Sequence, residues 1–338
     1  MKKIAVLGAG TWGLALARLL FNNGHDMIVW SWSKEEVDLL KKTGNHPKLP
    51  KMKIPKGLEF TSDLEEAARD RDIFVMAVPS VGVRSTARSL SPFIRDGHII
   101  VDVAKGIEKE THFTMTEIIR DELDKNCPDK KVSLVALSGP THAEEVSIDM
   151  PTAIVSASED AQVAKTVQDV FMSENFRVYT NSDVKGVELC GALKNIIALA
   201  SGISTGLGYG DNARAALITR GMAEIRRLGS AAGCEPETFM GLAGIGDLIV
   251  TATSQHSRNN NCGFLIGQGL TPKQAVDEVG MVVEGINAIP AAMELSKMYD
   301  IEIPICEAVN NVIFNNADPA ETVRELMTRD KKSEDYYD

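Results

Sequence analysis

Gly8-Ala9-Gly10-Thr11-Trp12-Gly13 follows a short apolar run at 3–7 and opens a segment of helical periodicity. That context turns a common G-x-G-x-x-G spacing into the fingerprint of a dinucleotide-binding turn. Gly8 permits the tight turn, Gly10 lets the backbone approach a pyrophosphate, and Gly13 lets the helix pack closely on the strand while helix N–H groups face the anion. Behind it, Leu16, Leu19 and Leu20 share one helical face, and Gly24 stops the helix. Further apolar runs at 27–30, 73–78, 99–103, 132–137, 153–156 and 177–179 alternate with helical patterns. This is the habit of βαβ units, and runs so continuously apolar need helices on both faces.

From about residue 183 the pattern changes to helical runs without strand signals, broken by Gly-rich or polar connections near 206–210, 241–246 and 251–263. The predicted fold class is therefore α/β: a Rossmann-type, doubly wound, mostly parallel sheet followed by a mainly α-helical C-terminal domain. The expected division is a dinucleotide-binding domain at 1–182, a helical substrate domain at 183–330 and a tail at 331–338. With 36 Lys plus Arg against 47 Asp plus Glu and a net charge of −11, the chain has no general electrostatic footprint for nucleic acid or anionic lipid. A phosphate recognised here is expected to belong to a small molecule. The five cysteines lie far apart, with no C-x-x-C pair and no metal-ligand spacing, so no metal is expected and the chain reads as reduced and cytoplasmic. Met1-Lys2-Lys3 before an apolar run imitates a secretory signal, but the three glycines and the strand–turn–helix reading exclude it. The stretch 189–209 is long enough to span a bilayer, yet its Lys, Asn, Ser, Thr and Gly residues favour a helix buried in protein over stable membrane insertion.

Where an NAD-selective site carries an acid after its second strand, this chain reads Trp30-Ser31-Trp32-Ser33-Lys34. Ser33 with Lys34 suits a 2′-phosphate and favours NADP over NAD, and Trp32 either stacks on adenine or serves as an interface tryptophan. Lys194 is the only charged residue in 189–210. Desolvation there favours a neutral amine fit for proton transfer, so Lys194 is the first candidate general acid/base, against a lysine that snorkels to solvent. Asp247 follows the glycine pair of Gly244-Ile245-Gly246, either as a site carboxylate or as a helix N-cap. Arg258, beside Asn259, is the one cation of the polar stretch 251–263 and offers a planar fork for phosphate. Lys105 and the turn Gly139-Pro140-Thr141-His142-Ala143 each follow a predicted strand at the end where open α/β sheets bind ligands. His142 is a proton shuttle or a structural turn residue.

Together these residues resemble a family. The glycine fingerprint, Ala77-Val78-Pro79-Ser80, Lys105-Gly106-Ile107-Glu108, Gly139 to Ala143, the run from Glu188 to Asn195, Gly208 to Arg220, Gly244 to Leu248 and His256-Ser257-Arg258-Asn259 are similar to bacterial NAD(P)-dependent sn-glycerol-3-phosphate dehydrogenases along nearly the full length. The resemblance implies a cytoplasmic, homodimeric oxidoreductase that reversibly reduces dihydroxyacetone phosphate to sn-glycerol 3-phosphate for glycerophospholipid synthesis. It implies Lys194 as proton donor and acceptor, with Asn195, Asp247 and Lys105 around the carbonyl oxygen. Arg258 and Asn259 would hold the phosphate, and Ser257, Gly139 and Thr141 would close the pocket. It further implies Thr11, Trp12, Lys105, Ala143, Arg258, Val282 and Glu284 as cofactor contacts, beside Gly8, Gly10, Gly13 and Ser33. Trp32 stands where many relatives have Arg, which weakens a strong NADP preference; Thr141, His142 and Thr205 also depart from commoner residues. The competing readings are another two-domain hydroxy-acid or sugar-acid dehydrogenase, with Arg258 on a carboxylate, and a non-catalytic NAD(P)-binding sensor.

Overall fold

In a computed structural model, which describes residues 1–331, 333 and 334, strand β1 (Lys3–Leu7) explains why the apolar runs are continuous. Ile4 and Val6 enter one buried cluster and Ala5 and Leu7 another, so both faces of the strand are core. The same division recurs in β4 (Ile73–Met76), where Ile73 and Val75 face one side and Phe74 and Met76 the other. The remaining strands are β2 (Asp26–Trp30), β3 (Glu59–Thr61), β5 (Ile99–Asp102), β6 (Ser133–Ser138), β7 (Thr152–Ala157) and β8 (Phe176–Asn181). They form one sheet in the order β3-β2-β1-β4-β5-β6-β7-β8. Strand order reverses at β1, between β2 and β4, which is the switch point at which doubly wound sheets bind ligands.

Two features of the sheet go beyond the sequence reading. Strand β3 was not expected, because three residues beginning with the exposed Glu59 form an edge strand too short to leave an apolar run. Strand β7 pairs antiparallel to β6, whereas β8 returns to parallel pairing with β7. The segment between β6 and β7 contains only the four-residue helix Ala143–Val146, which does not carry the chain back along the sheet as a βαβ crossover does.

Helices of the sheet-bearing part are α1 (Thr11–Asn22), α2 (Lys34–Thr43), α3 (Leu64–Ala68), α4 (Val83–Leu90), α5 (Met115–Asn126), α6 (Ala143–Val146) and α7 (Ala161–Phe171). Then follow α8 (Val184–Gly206), α9 (Asp211–Ala231), α10 (Pro236–Phe239), α11 (Asp247–Thr253), α12 (Arg258–Gly267), α13 (Pro272–Val279), α14 (Glu284–Tyr299), α15 (Pro304–Phe314) and α16 (Pro319–Thr328). The chain divides into two compact units: Met1–Glu108 with Phe113–Glu188, and Lys109–His112 with the chain from Leu189 onward. The division falls inside α8, so no linker marks it. Helix α8 is long and apolar enough to cross a membrane, and its most apolar window is wholly buried in the protein. The polar stretch 251–263, expected as a connection, is mostly helix: α11 runs to Thr253, Ser257 caps α12, and only 254–257 is irregular. Of the expected tail, residues 332 and 335–338 lie outside the described residues.

The second unit holds one carboxylate for purely architectural reasons. Glu224 of α9 is 2% exposed, and its oxygens accept from the backbone N–H groups of Ile305 (2.8 and 3.0 Å) and Cys306 (3.3 Å) at the start of α15. Those are helix-terminal donors without an intrahelical acceptor. Burial nevertheless pushes the Glu224 carboxyl up from 4.5 to about 7. The folded protein therefore holds this proton between pH 4.5 and 7 where the unfolded chain has released it, so stability falls as pH rises through that window. Glu224→Gln is expected to flatten this slope, whose full size is on the order of 3 kcal/mol. Urea unfolding midpoints measured from pH 4.5 to 7.5 check it; identical pH dependence in variant and wild type would refute the assignment.

Candidate functional site

At the glycine turn each position does a different steric job. Gly8 has φ +125°, and a Cβ there would lie 2.5 Å from the Ala77 carbonyl oxygen. A Cβ on Gly13 would come 2.1 Å from the Gly8 carbonyl oxygen, so α1 packs directly on the turn. Gly10, the residue before α1, has no atom within 4 Å of its would-be Cβ. The first turn of α1 carries no acidic residue. An open backbone at a helix N-terminus free of carboxylates fits the pyrophosphate of a dinucleotide.

Around the end of β2 the reading of Ser33 and Lys34 changes. Ser33 caps α2, accepting from Glu36 N–H at 3.1 Å and donating to Glu35 at 3.0 Å, and the Lys34 amine pairs with Asp38 at 2.8 Å. Carboxylates of Glu35 and Glu36 thus surround the proposed 2′-phosphate position, Glu36 accepting from buried Ser31 at 2.5 Å. The Lys34–Asp38 pair is solvent-exposed and easily exchanged. Trp32 is 82% exposed. In the same unit, the Lys105 amine donates to the Gly139 carbonyl at 3.4 Å, and the Thr141 hydroxyl donates to that oxygen at 3.3 Å. These three expected site residues therefore share one carbonyl. Ala143 begins α6, and His142 precedes it, its carbonyl accepting the first N–H bonds of that helix.

Lys194 does not snorkel. It is 4% exposed, and its amine donates to Asp247 Oδ1 at 2.6 Å and to the Thr251 hydroxyl. Asp247 is 1% exposed. Thr251 donates its own proton to the Asp247 carbonyl oxygen at 2.6 Å, which turns a lone pair toward the lysine. Asp247 is not the N-cap; it is the first residue of α11, after a π-helical turn at Leu242–Gly246. Gly244 in that turn is pressed against Phe239, where a Cβ would meet the carbonyl oxygen at 2.0 Å.

Reciprocal glycines bring the helices of this unit to backbone contact. A Cβ on Gly202 or Gly206 of α8 would strike the carbonyl oxygens of Asn260 and Phe264 at 2.0 and 2.3 Å. One on Gly263 or Gly267 of α12 would strike those of Leu199 and Ile203 at 2.1 and 2.4 Å. Both helices also grip the end of α11, since Ser201 and Asn260 donate to the Ala252 carbonyl at 2.9 and 2.8 Å. One turn away a buried amide chain runs across three helices. Gly285 N–H donates to Asn259 Oδ1 (2.8 Å), Asn259 Nδ2 to Asn195 Oδ1 (2.9 Å), and Asn195 Nδ2 to the Gly191 carbonyl (3.1 Å).

The structure thus joins Lys194 to Asp247, and Asn195 to Asn259. Arg258 opens α12 exposed, its side chain making no hydrogen bond or ion pair with any described residue. Ser257 is buried with its hydroxyl used as the cap of α12. Val282 is partly exposed, and Glu284 is the first residue of α14. Sequence reasoning missed Thr251. The available signal was its place four residues after Asp247, one helical turn on the same face.

Comparison with known proteins identifies the family. The family profile described as the N-terminal part of NAD-dependent glycerol-3-phosphate dehydrogenase matches residues 3–164, and that of the C-terminal part matches residues 183–324. A protein of Lactobacillus delbrueckii subsp. bulgaricus named glycerol-3-phosphate dehydrogenase (NAD(P)+) 2 is 63% identical over 334 residues, 99% of each chain. The Bacillus subtilis glycerol-3-phosphate dehydrogenase (NAD(P)+) is 47% identical over 335 residues, covering 99% of this chain and 96% of its own. A crystal structure of the Coxiella burnetii glycerol-3-phosphate dehydrogenase superposes with a TM-score of 0.91 at 37% identity, over 97% of this chain and 99% of that one. With full-length identity at this level and both halves of the profile matched, the chain belongs to the NAD-dependent glycerol-3-phosphate dehydrogenase family.

Proposed function

We infer that this chain reversibly reduces dihydroxyacetone phosphate to sn-glycerol 3-phosphate with NADH or NADPH, Lys194 exchanging the proton with the carbonyl oxygen. The observation that carries the reading is the buried amine of Lys194, held by Asp247 and Thr251 in a stretch with no other charge. When bound, the reduced nicotinamide supplies the hydride to the carbonyl carbon. Negative charge then grows on the oxygen, and an ammonium stabilises it before passing on its proton. The neutral amine so formed regains a proton from water; in the oxidative direction the amine accepts the proton of the alcohol. Asp247 and Thr251 fix the direction of the amine, which proximity effects require.

Arg258 is proposed as the phosphate ligand: its guanidinium matches a phosphate in geometry and charge. Asn259 steadies the start of the same helix through its bonds to Asn195 and Gly285. The glycine turn at Gly8, Gly10 and Gly13, with Thr11 and Trp12, is proposed to hold the cofactor's pyrophosphate. Lys105, Asn195, Gly139, Thr141, Ser257 and Asn259 as substrate contacts, and Ala143, Val282 and Glu284 as cofactor contacts, rest on the family resemblance, whereas Ser33 rests on its place after the second strand. The same reading makes the enzyme a cytoplasmic homodimer that feeds glycerophospholipid synthesis.

Lys194→Ala is expected to lower kcat by about a thousandfold while leaving the NADH dissociation constant within about threefold. Stopped-flow turnover with dihydroxyacetone phosphate and cofactor titration by fluorescence measure the two, and normal turnover would remove Lys194 from the chemistry. Arg258→Ala should raise KM for dihydroxyacetone phosphate roughly tenfold to a hundredfold. Its effect on phosphate-free dihydroxyacetone should be slight; equal losses on both substrates would point to a role other than phosphate binding. Lys34→Ala is expected to lower the NADPH-to-NADH ratio of kcat/KM about three- to tenfold, because an exposed cation beside a 2′-phosphate contributes on the order of 1 kcal/mol. An unchanged ratio in paired initial-rate assays would discard Lys34 as a coenzyme determinant.

A further inference from the structure

Glu188 is another buried carboxylate, one that the proposed proton transfer does not use. It is 6% exposed and lies on α8, six residues before Lys194. Its Oε2 accepts from the hydroxyls of Thr114 (2.7 Å) and Thr116 (2.5 Å), and its Oε1 accepts from Thr116 N–H at 2.8 Å. All three donors sit at the N-terminus of α5. That terminus already has its own capping box, in which Thr114 and Glu117 satisfy each other's backbone donors. The capping box leaves the Thr116 N–H to Glu188, which therefore both completes the cap of α5 and ties that end to α8. The carboxylate is not cheaply placed, since burial pushes it up from 4.5 to about 7 against the pull of its donors. Glu117 adds to that push, Asp102 at the end of β5 is buried within electrostatic reach, and Lys185 of α8 pairs with Glu117 at 3.8 Å.

Helix α8 runs without proline from Val184 to Gly206. Six residues of α-helix span about 9 Å along the axis and about 240° of net rotation. Glu188 and Lys194 are thus two handles on different faces of one rod, each gripped by hydrogen bonds.

We infer that Glu188 is a positioning residue for the reaction: by tying α8 to the N-terminus of α5 it sets the axial register and roll at which the same helix presents the Lys194 amine. This rests on Lys194 being the proton-exchanging group. A slip or roll of the helix by a fraction of a turn moves the amine by an ångström or more, enough to misalign a proton transfer. A glutamine keeps the anchor, because its carbonyl oxygen accepts from Thr116 N–H and its amide donates to the threonine hydroxyls.

The test compares Glu188→Ala, Glu188→Gln, Thr116→Val and Lys194→Ala in the full chain, with dihydroxyacetone phosphate and NADH. Glu188→Ala should lose about ten- to a hundredfold in kcat, with KM for dihydroxyacetone phosphate and the NADH dissociation constant each within about threefold of wild type. Glu188→Gln should return kcat to within about threefold of wild type. Thr116→Val removes one hydroxyl and keeps the backbone donor; its expected kcat loss of about threefold reads the same contact should Glu188→Ala fail to fold. Wild-type kcat in Glu188→Ala, or in Thr116→Val where that variant must stand in, overturns the proposal. So does a parallel loss of kcat, substrate affinity and cofactor affinity that glutamine does not rescue, since that marks a merely structural carboxylate. The two readings separate through Lys194→Ala: retained turnover there overturns the acid/base role. A dead Lys194→Ala beside a fully active Glu188→Ala overturns the positioning role alone.

Discussion

An amine buried in an apolar helix is the constraint around which the second unit is organised. Removing an ammonium from water costs several kcal/mol, and the cost is tolerable only where a counter-charge and hydrogen bonds replace the water. Lys194 obtains both from α11: the Asp247 carboxylate at 2.6 Å and the Thr251 hydroxyl one turn further on. The partner helix must then be held where it can serve. Ser201 of α8 and Asn260 of α12 both donate to the Ala252 carbonyl of α11, so the helix carrying the counter-ion is clamped by the helix carrying the amine and by the one that begins with Arg258. The clamp works because α8 and α12 approach to backbone contact, and four glycines at i, i+4 spacing make that approach sterically possible. A methyl group at any of the four would meet a carbonyl oxygen at 2.4 Å or less, and the helices would have to separate.

What the sequence disclosed, and what it hid, follows from the range of each interaction. Local patterns were legible. The glycine fingerprint, the doubly apolar strands and the isolation of Lys194 are properties of neighbours in the chain, and each carries its meaning in its own spacing. The candidates Lys194 and Asp247 were likewise visible one at a time, as an odd charge in an apolar run and an acid after a glycine pair. Their pairing was not, because 53 residues separate them and nothing in either segment names the other. In the sequence Gly202 and Gly206 read as arguments against a membrane span, Gly263 as the end of a polar stretch, and Gly267 carried no signal; packing shows that each pair is the imprint of the other helix. The short edge strand β3 and the antiparallel β7 were hidden for a related reason, since edge position and strand direction belong to the assembled sheet rather than to the strand.

Two sets of buried polar groups in this protein differ instructively. Glu224 caps the start of α15 with both oxygens, its effect ends at that helix, and its elevated proton affinity is the thermodynamic trace of being buried for architecture. The chain Gly285–Asn259–Asn195–Gly191 is uncharged, spans three helices, and adds no net charge to the interior. A neutral amide chain can hold backbone positions at low desolvation cost, whereas a carboxylate cannot. Glu188 takes the Thr116 N–H at the start of α5 as Glu224 takes its donors at α15, and it adds two threonine hydroxyls, so its bonds join two helices as well as capping one.

The rest of the explanation lies in what directional hydrogen bonds do that apolar contacts do not. They fix both distance and angle, and they hold a helix against sliding and rolling with a stiffness that an apolar contact, indifferent to small translations, does not provide. A long apolar helix such as α8 is well buried but poorly registered, because shifting its smooth side chains along an apolar groove changes the buried area little. Proton transfer, by contrast, is sensitive to displacements of an ångström. Under the role proposed for Lys194, a helix that delivers one amine to one oxygen is served by two polar handles at different depths and azimuths, here Glu188 and Lys194 itself. The apolar composition that hides the helix from water and the two buried charges that interrupt it, Glu188 and Lys194, serve that proposed role from opposite sides.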